Sequence, residues 1–98
     1  MKIDNLTAVF DALSQETRLK VFRILVENSR TGICPSDIAG KLKITRNTLS
    51  FHLSLLSQAE LCTQTKNGKM IFYKPNCKTV RKSAEFLLKN CCSGDGKC

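Results

Sequence analysis

After Glu60 the apolar residues of this chain stop recurring at three- and four-residue spacing. They become two β-prone runs, Leu61-Cys62-Thr63-Gln64-Thr65 and Met70-Ile71-Phe72-Tyr73. Helical and extended segments bury their faces with different periods, so this switch confines β structure to one short stretch of an otherwise helical chain. The runs are joined by Lys66-Asn67-Gly68-Lys69, and Asn-Gly between extended segments is a strong hairpin signal. Pro75 and Asn76 break the second run. The fold class expected is mainly α with a small β-hairpin.

The helices on either side are read from the same periodicity. Leu6, Val9, Phe10 and Leu13 mark a short first helix ending near Ser14. Ser14 is the expected N-cap of a second helix, with Glu16 suiting the positive end of its dipole. That helix should bury Leu19, Phe22, Leu25 and Val26, turn Arg18, Lys20, Arg23 and Glu27 to water, and stop before Ser29-Arg30-Thr31-Gly32. Pro35 fits the first position of a third helix, which carries Ile38, Ala39 and Leu42 and ends around Lys43. Thr45 caps a fourth, with Leu49, Leu53 and Leu56 along one face, and a fifth runs from about Lys78 to Asn90 with Val80, Ala84, Leu87 and Leu88 on one face. Two short helices with a tight turn between them read as a helix-turn-helix, and a basic hairpin directly after one is a wing. The order expected is α-α-α-α-β-β-α, a winged helix-turn-helix.

Ninety-eight residues make one domain, small enough that dimerisation would help it bury apolar surface. Residues 1–90 are expected to form the folded DNA-binding and dimerisation unit and 91–98 a cysteine-rich tail. The net charge is +8, and the basic excess occurs in both halves of the chain, which favours nucleic acid or another polyanion as partner. No apolar run approaches a membrane span, and the polar start Met-Lys-Ile-Asp-Asn does not resemble a secretory signal. The chain is therefore expected in the cytoplasm, with its six cysteines reduced rather than paired in a disulfide framework.

The tail, Cys91-Cys92-Ser93-Gly94-Asp95-Gly96-Lys97-Cys98, offers three thiols and no histidine. An all-sulfur set of three suits a three-coordinate centre such as trivalent arsenic or antimony, whereas zinc wants a fourth ligand. Gly94 and Gly96 let the chain reverse and bring Cys98 back to the vicinal pair. Helical spacing from Val80, Ala84 and Leu87 also permits Cys91 to be a packed residue, but packing accounts for Cys91 alone. Cys91 and Cys92 would stand at the C-terminal end of the fifth helix, where the dipole disfavours thiolate until a thiophilic ion displaces the protons. The same thiols would serve a redox or sulfide sensor, and a DNA-binding protein with a tail of no function is a third reading.

Arg46, Asn47 and Ser50 fall on the exposed first turns of the fourth helix, where Arg suits guanine and Asn suits adenine. Thr45 and Thr48 suit capping or phosphate contact, and Lys66 and Lys69 on the wing suit phosphates, which position a protein without reading sequence. His52 is the sole histidine and lacks the partners that a catalytic site needs, so no enzyme is indicated. Cys34, Cys62 and Cys77 read as small buried hydrophobes.

Several of these segments together resemble the ArsR/SmtB family of metal-sensing winged-helix repressors. Ala12-Leu13-Ser14-Gln15-Glu16-Thr17-Arg18-Leu19 is similar to the family's opening of its second helix, Thr48-Leu49-Ser50-Phe51-His52-Leu53 to its recognition-helix core, and Gly68 with Phe72-Tyr73 to its wing. The resemblance covers essentially the whole chain. It implies a homodimer joined through first and last helices, bound to double-stranded operator DNA and released by an inducer. Many arsenic sensors of the family carry Cys-x-Cys in the third helix; here the matching stretch is Cys34-Pro35-Ser36-Asp37-Ile38, with Ser36 in place of the second cysteine. Zinc, cobalt and nickel sensors use His and carboxylates on the last helix, which here has Glu85 alone. Asn90-Cys91-Cys92 followed by a third cysteine resembles arsenic sensors with a C-terminal site, which implies arsenite or antimonite bound by Cys91, Cys92 and Cys98 as inducer.

Overall fold

The structure is a computed structural model that describes residues 1–91. Its elements are α1 (Ile3–Leu13), α2 (Glu16–Glu27), α3 (Pro35–Leu42), α4 (Arg46–Gln58), β1 (Cys62–Asn67), β2 (Met70–Pro75) and α5 (Cys77–Leu88). The winged helix-turn-helix order expected from the hydrophobic periods is the order observed.

α2 is the central helix, packed against α1, α4 and β2. Three-sided packing widens its buried arc: Val21, Phe22, Ile24 and Leu25 are inside, while Leu19, expected in the core, remains 46% exposed. The α1–α2 corner also differs from expectation. Ser14 has helical backbone angles (φ −77°, ψ −10°) and closes α1, its hydroxyl donating to the Asp11 carbonyl at 2.8 Å. An N-cap requires an extended backbone, which Gln15 supplies (φ −96°, ψ 130°), and its side-chain oxygen accepts from the Arg18 N–H at 2.8 Å. Arg18, expected in water, is half-buried, with Nε donating to the Ala12 carbonyl at 2.7 Å. Phe10 is likewise 41% exposed, and Leu6, Val9 and Ala12 form the inner face of α1.

α3 begins at Pro35 and ends where Lys43 takes a left-handed conformation (φ 56°) and donates its N–H to Ala39. Glycine usually fills such a position, and the reversal it permits sets α3 against α4 across a turn of three residues. Leu49 and Leu56 of α4 are fully buried, Leu53 nearly so, and all three join Leu25 and Ile38 in one core.

β1 and β2 pair antiparallel, from Cys62 opposite Pro75 to Asn67 opposite Met70. Gly68 opens the two-residue connection with φ 66°, the conformation that a type II′ hairpin takes at this position. The strands are longer than expected, and Pro75 lies inside β2 because a proline at a strand end removes no required hydrogen bond. Ile33, before α3, exchanges backbone hydrogen bonds with Tyr73 at 2.9 and 3.0 Å and so ties the helix-turn-helix to the wing. Gly32 makes this approach possible: its φ is 80°, and an added Cβ would meet the Phe72 Cβ at 3.1 Å.

α5 starts at Cys77 and ends at Leu88, two residues short of the expected Asn90. Asn90 has φ 65° and turns the chain, so Cys91 lies past the helix rather than on its apolar row. The face directed inward consists of Thr79 and Ser83, with Val80 packed against the core. Ala84, Leu87 and Leu88, expected on one apolar face, are exposed. No helix among the described residues is long and apolar enough to cross a membrane.

Candidate nucleic-acid interface

α4 has two opposed faces. Leu49, His52, Leu53 and Leu56 occupy the core side, and at 100° per residue Asn47, Ser50, Phe51 and Ser54 fall opposite them, all exposed. The helix is held at its start by Thr45, whose Oγ1 accepts from the Thr48 N–H at 3.1 Å and donates to the Thr48 hydroxyl at 3.0 Å. Thr45, Arg46, Asn47, Thr48 and Ser50 are all exposed at this end. The inward row Leu49, Leu53, Leu56 implies the outward direction of Phe51, to which residue type alone gives no role.

Lys66 and Lys69 are exposed on the wing. Lys69, Met70 and Ile71 border a cavity of about 200 Å³ whose opposite wall is Arg46 and the start of α3, Cys34 to Ser36. The fold therefore brings a wing lysine and the arginine that opens α4 to one depression, a convergence that sequence spacing does not reveal. Among the described residues the ion pair is Lys20 with Glu16 at 3.9 Å, so none of their carboxylates pairs with Arg46, Lys66 or Lys69. A convex helix face flanked by uncompensated cations has the shape and charge to enter a groove of a polyanionic duplex.

Behind this surface, Arg18 reaches from α2 to α4, its terminal nitrogen 3.4 Å from His52 Nδ1. Arginine only donates, so this contact is attractive only when Nδ1 carries no proton. Burial, and secondarily the Arg18 charge, hold the His52 pKa below its ordinary value. His52 is 7% exposed and is packed on the core side of α4. The turn between α4 and β1 is bonded to the start of α5: Thr79 Oγ1 donates to the Glu60 carbonyl at 2.6 Å and the Asn76 N–H to the Leu61 carbonyl at 2.9 Å.

The cysteines occupy three kinds of place. Cys34 and Cys62 are buried, as expected. Cys34 Sγ donates to Asp37 Oδ2 at 3.1 Å and lies 3.6 Å from Ser36 Oγ, while Cys62 Sγ is 3.2 Å from Ser57 Oγ. Burial pushes the Cys62 thiol pKa up, partly offset by the Ser57 hydrogen bond. Cys77, expected to be buried, is exposed, because it opens α5 where the inward positions are Thr79 and Ser83. Cys91 is exposed, its N–H bonded to the Leu88 carbonyl at 2.8 Å. Cys92 and Cys98, with Gly94 and Gly96 between them, lie outside the described residues. Among the described residues no three His, Cys, Asp or Glu side chains are grouped to hold a metal ion.

Residues 13–65 match the family described as a helix-turn-helix domain. YbzH of Bacillus subtilis, described as an uncharacterised HTH-type transcriptional regulator, is 36% identical over 91 residues, covering 81% of this chain and 91% of its own length. The arsenical resistance operon repressor of Bacillus subtilis is 30% identical over 93 residues, covering 91% of this chain and 85% of its own. The solved structure of an ArsR-like transcriptional regulator from Rhodococcus sp. RHA1 superposes with a TM-score of 0.81 at 29% identity, over 94% of this chain and 84% of that one.

Proposed function

The chain belongs to the ArsR/SmtB family of winged-helix transcriptional repressors, which are DNA-binding regulators and not enzymes, and from that premise we propose that it is an arsenic(III)-responsive repressor. It binds operator DNA as a homodimer through α4 and the wing, and leaves when arsenite or antimonite is bound by Cys91, Cys92 and Cys98. The observation that carries the inducer assignment is the donor set: three sulfurs in eight residues, without imidazole, in a chain whose third-helix stretch keeps a single thiol at Cys34. The similar arsenical resistance operon repressor supports the same inducer class.

On DNA, Arg46, Asn47 and Ser50 face base edges, Thr45 and Thr48 order the first turn and approach phosphates, and Lys66 before the wing turn and Lys69 within it contact phosphates. The dimer forms through α1 and α5, where the exposed apolar residues Ile3, Phe10, Phe86, Leu87 and Leu88 collect. Two-fold pairing then sets two recognition helices in successive major grooves, about 34 to 36 Å apart.

The tail, residues 91–98, follows α5 in the chain, and the start of α5 is bonded to the turn that follows α4 through Thr79–Glu60 and Asn76–Leu61. Closing three sulfurs on one arsenic restrains the tail against α5. Any change in the crossing of the dimer helices is passed to α4 through those bonds, and a coupling of about 1 to 3 kcal/mol lowers operator affinity roughly 5- to 150-fold.

The test is operator binding by reduced protein titrated with arsenite, cadmium or a mild oxidant, in the full chain and in Cys91→Ser, Cys92→Ser and Cys98→Ser. Release by arsenite in the full chain, with each serine variant still bound, is the expected result. Normal arsenite release after removal of the tail would place the sensor elsewhere. Release by oxidant but not by arsenite would assign the same cysteines to redox sensing.

A further inference from the structure

The outward face of α4 carries one side chain that neither capping nor packing explains. Phe51 is 60% exposed, more than Phe10 or Phe86, and its neighbours on that face are the polar Asn47, Ser50 and Ser54. Its recorded ring contact is edge-on to His52, with centroids 5.7 Å apart. The other large exposed apolar groups of the helices gather on α1 and α5, except for Leu19; Phe51 stands on the helix flanked by the uncompensated cations Arg46 and Lys69. Leaving an aromatic ring in water forgoes the burial that normally stabilises it, so its position favours a partner that is polyanionic overall yet offers a local apolar group.

In the major groove of unmodified DNA the base edges present one apolar group, the C5-methyl of thymine. We infer that Phe51 is a specificity-determining residue that packs against a thymine methyl, one in each operator half-site, beside the bases read by Asn47 and Ser50. This rests on the proposed placement of α4 in the groove. It adds a readout made by hydrophobic contact, which substitution of the polar residues leaves in place.

The methyl group is the testable part, because deoxyuridine keeps every hydrogen bond of thymine and lacks only that methyl. Operator duplexes are first selected from random DNA by the full chain, and each thymine is then replaced by deoxyuridine. One symmetry-related pair of thymines is expected to matter, with affinity falling about 4-fold per half-site and roughly 15-fold for both, the loss for burying one methyl less. Phe51→Ala binds the unsubstituted operator more weakly and becomes indifferent to deoxyuridine at that pair, while Phe51→Leu retains part of the discrimination. If a variant binds too weakly to measure, the deoxyuridine scan of the unaltered chain decides alone. Enrichment of an operator in which no thymine methyl matters overturns the role of Phe51 and leaves the repressor reading intact. Failure to enrich any duplex overturns both. A changed oligomeric state of Phe51→Ala without DNA would place the ring in a protein contact and also overturn the inference.

Discussion

Replacing Arg18 by alanine should destabilise the fold and shift the titration of His52 on a different element. Its Nε donates to the Ala12 carbonyl at 2.7 Å, at the last turn of α1, where helical carbonyls have no intrahelical partner. A hydrogen bond from a charged donor contributes about 1.5 to 3 kcal/mol, and half-burial of Arg18 places the expected loss near the lower end, about 1.5 to 2 kcal/mol. For a domain of this size that lowers the melting temperature on the order of 10 °C. The second readout is pH. His52 has a folded pKa below its ordinary 6.5, so the folded state binds fewer protons than the unfolded chain. Its contribution is therefore fully present above about pH 6.5 and is lost as pH falls below that value toward the folded pKa. Removing Arg18 removes the smaller cause of the depression and leaves burial, so the acid loss should shrink without disappearing. Urea unfolding followed by circular dichroism at about pH 7.5 and about pH 5.5, at one protomer concentration, measures the first effect. Proton NMR of the single histidine measures the second without overlap. Stability within about 0.5 kcal/mol of the unaltered chain, or a His52 titration midpoint that does not move, would refute the proposed role of Arg18 as the tie between the α1–α2 corner and the recognition helix.

Three further outcomes are expected. Gly32→Ala places a Cβ 3.1 Å from the Phe72 Cβ at φ 80° and should cost about 1 to 3 kcal/mol in urea unfolding, with the wing loosened in hydrogen exchange. Leu87→Asp puts a charge on the exposed apolar end of α5 and, if the proposed α1–α5 dimer holds, should give monomers in sedimentation equilibrium, with operator affinity falling in parallel. Among the three cysteines outside the tail region, a thiol-reactive probe should label exposed Cys77 first and buried Cys62 last, since burial both hides that thiol and raises its pKa; equal rates would contradict the packing of the wing base.

Much of the candidate interface was legible because it is local. Thr45 caps α4 through its own third neighbour, and the row Leu49, Leu53, Leu56 declares which side of that helix is buried. Ser14 and Leu19 misled for the same reason in reverse. Serine is a frequent N-cap and leucine a frequent core residue, but the backbone at Ser14 was already committed to α1, and the packing of α2 buries Val21, Phe22, Ile24 and Leu25 and leaves Leu19 outside. Cys77 was misjudged because the inward positions of α5 are a threonine and a serine, bonded to the Glu60 carbonyl and to the preceding turn.

The sequence by itself determined the element order, the helix-turn-helix followed by a basic hairpin, the cationic character and the three-thiol tail, because periodicity, turn chemistry and residue type act over a few neighbours. Only the tertiary structure decided which distant groups meet. It docked Ile33 onto Tyr73, carried Arg18 to His52 across 34 residues, joined Thr79 to Glu60, and brought Lys69 beside Arg46. It also left Leu87, Leu88 and Phe51 facing outward. Which helix faces are covered depends on how all the helices pack together, and no short stretch of sequence encodes that.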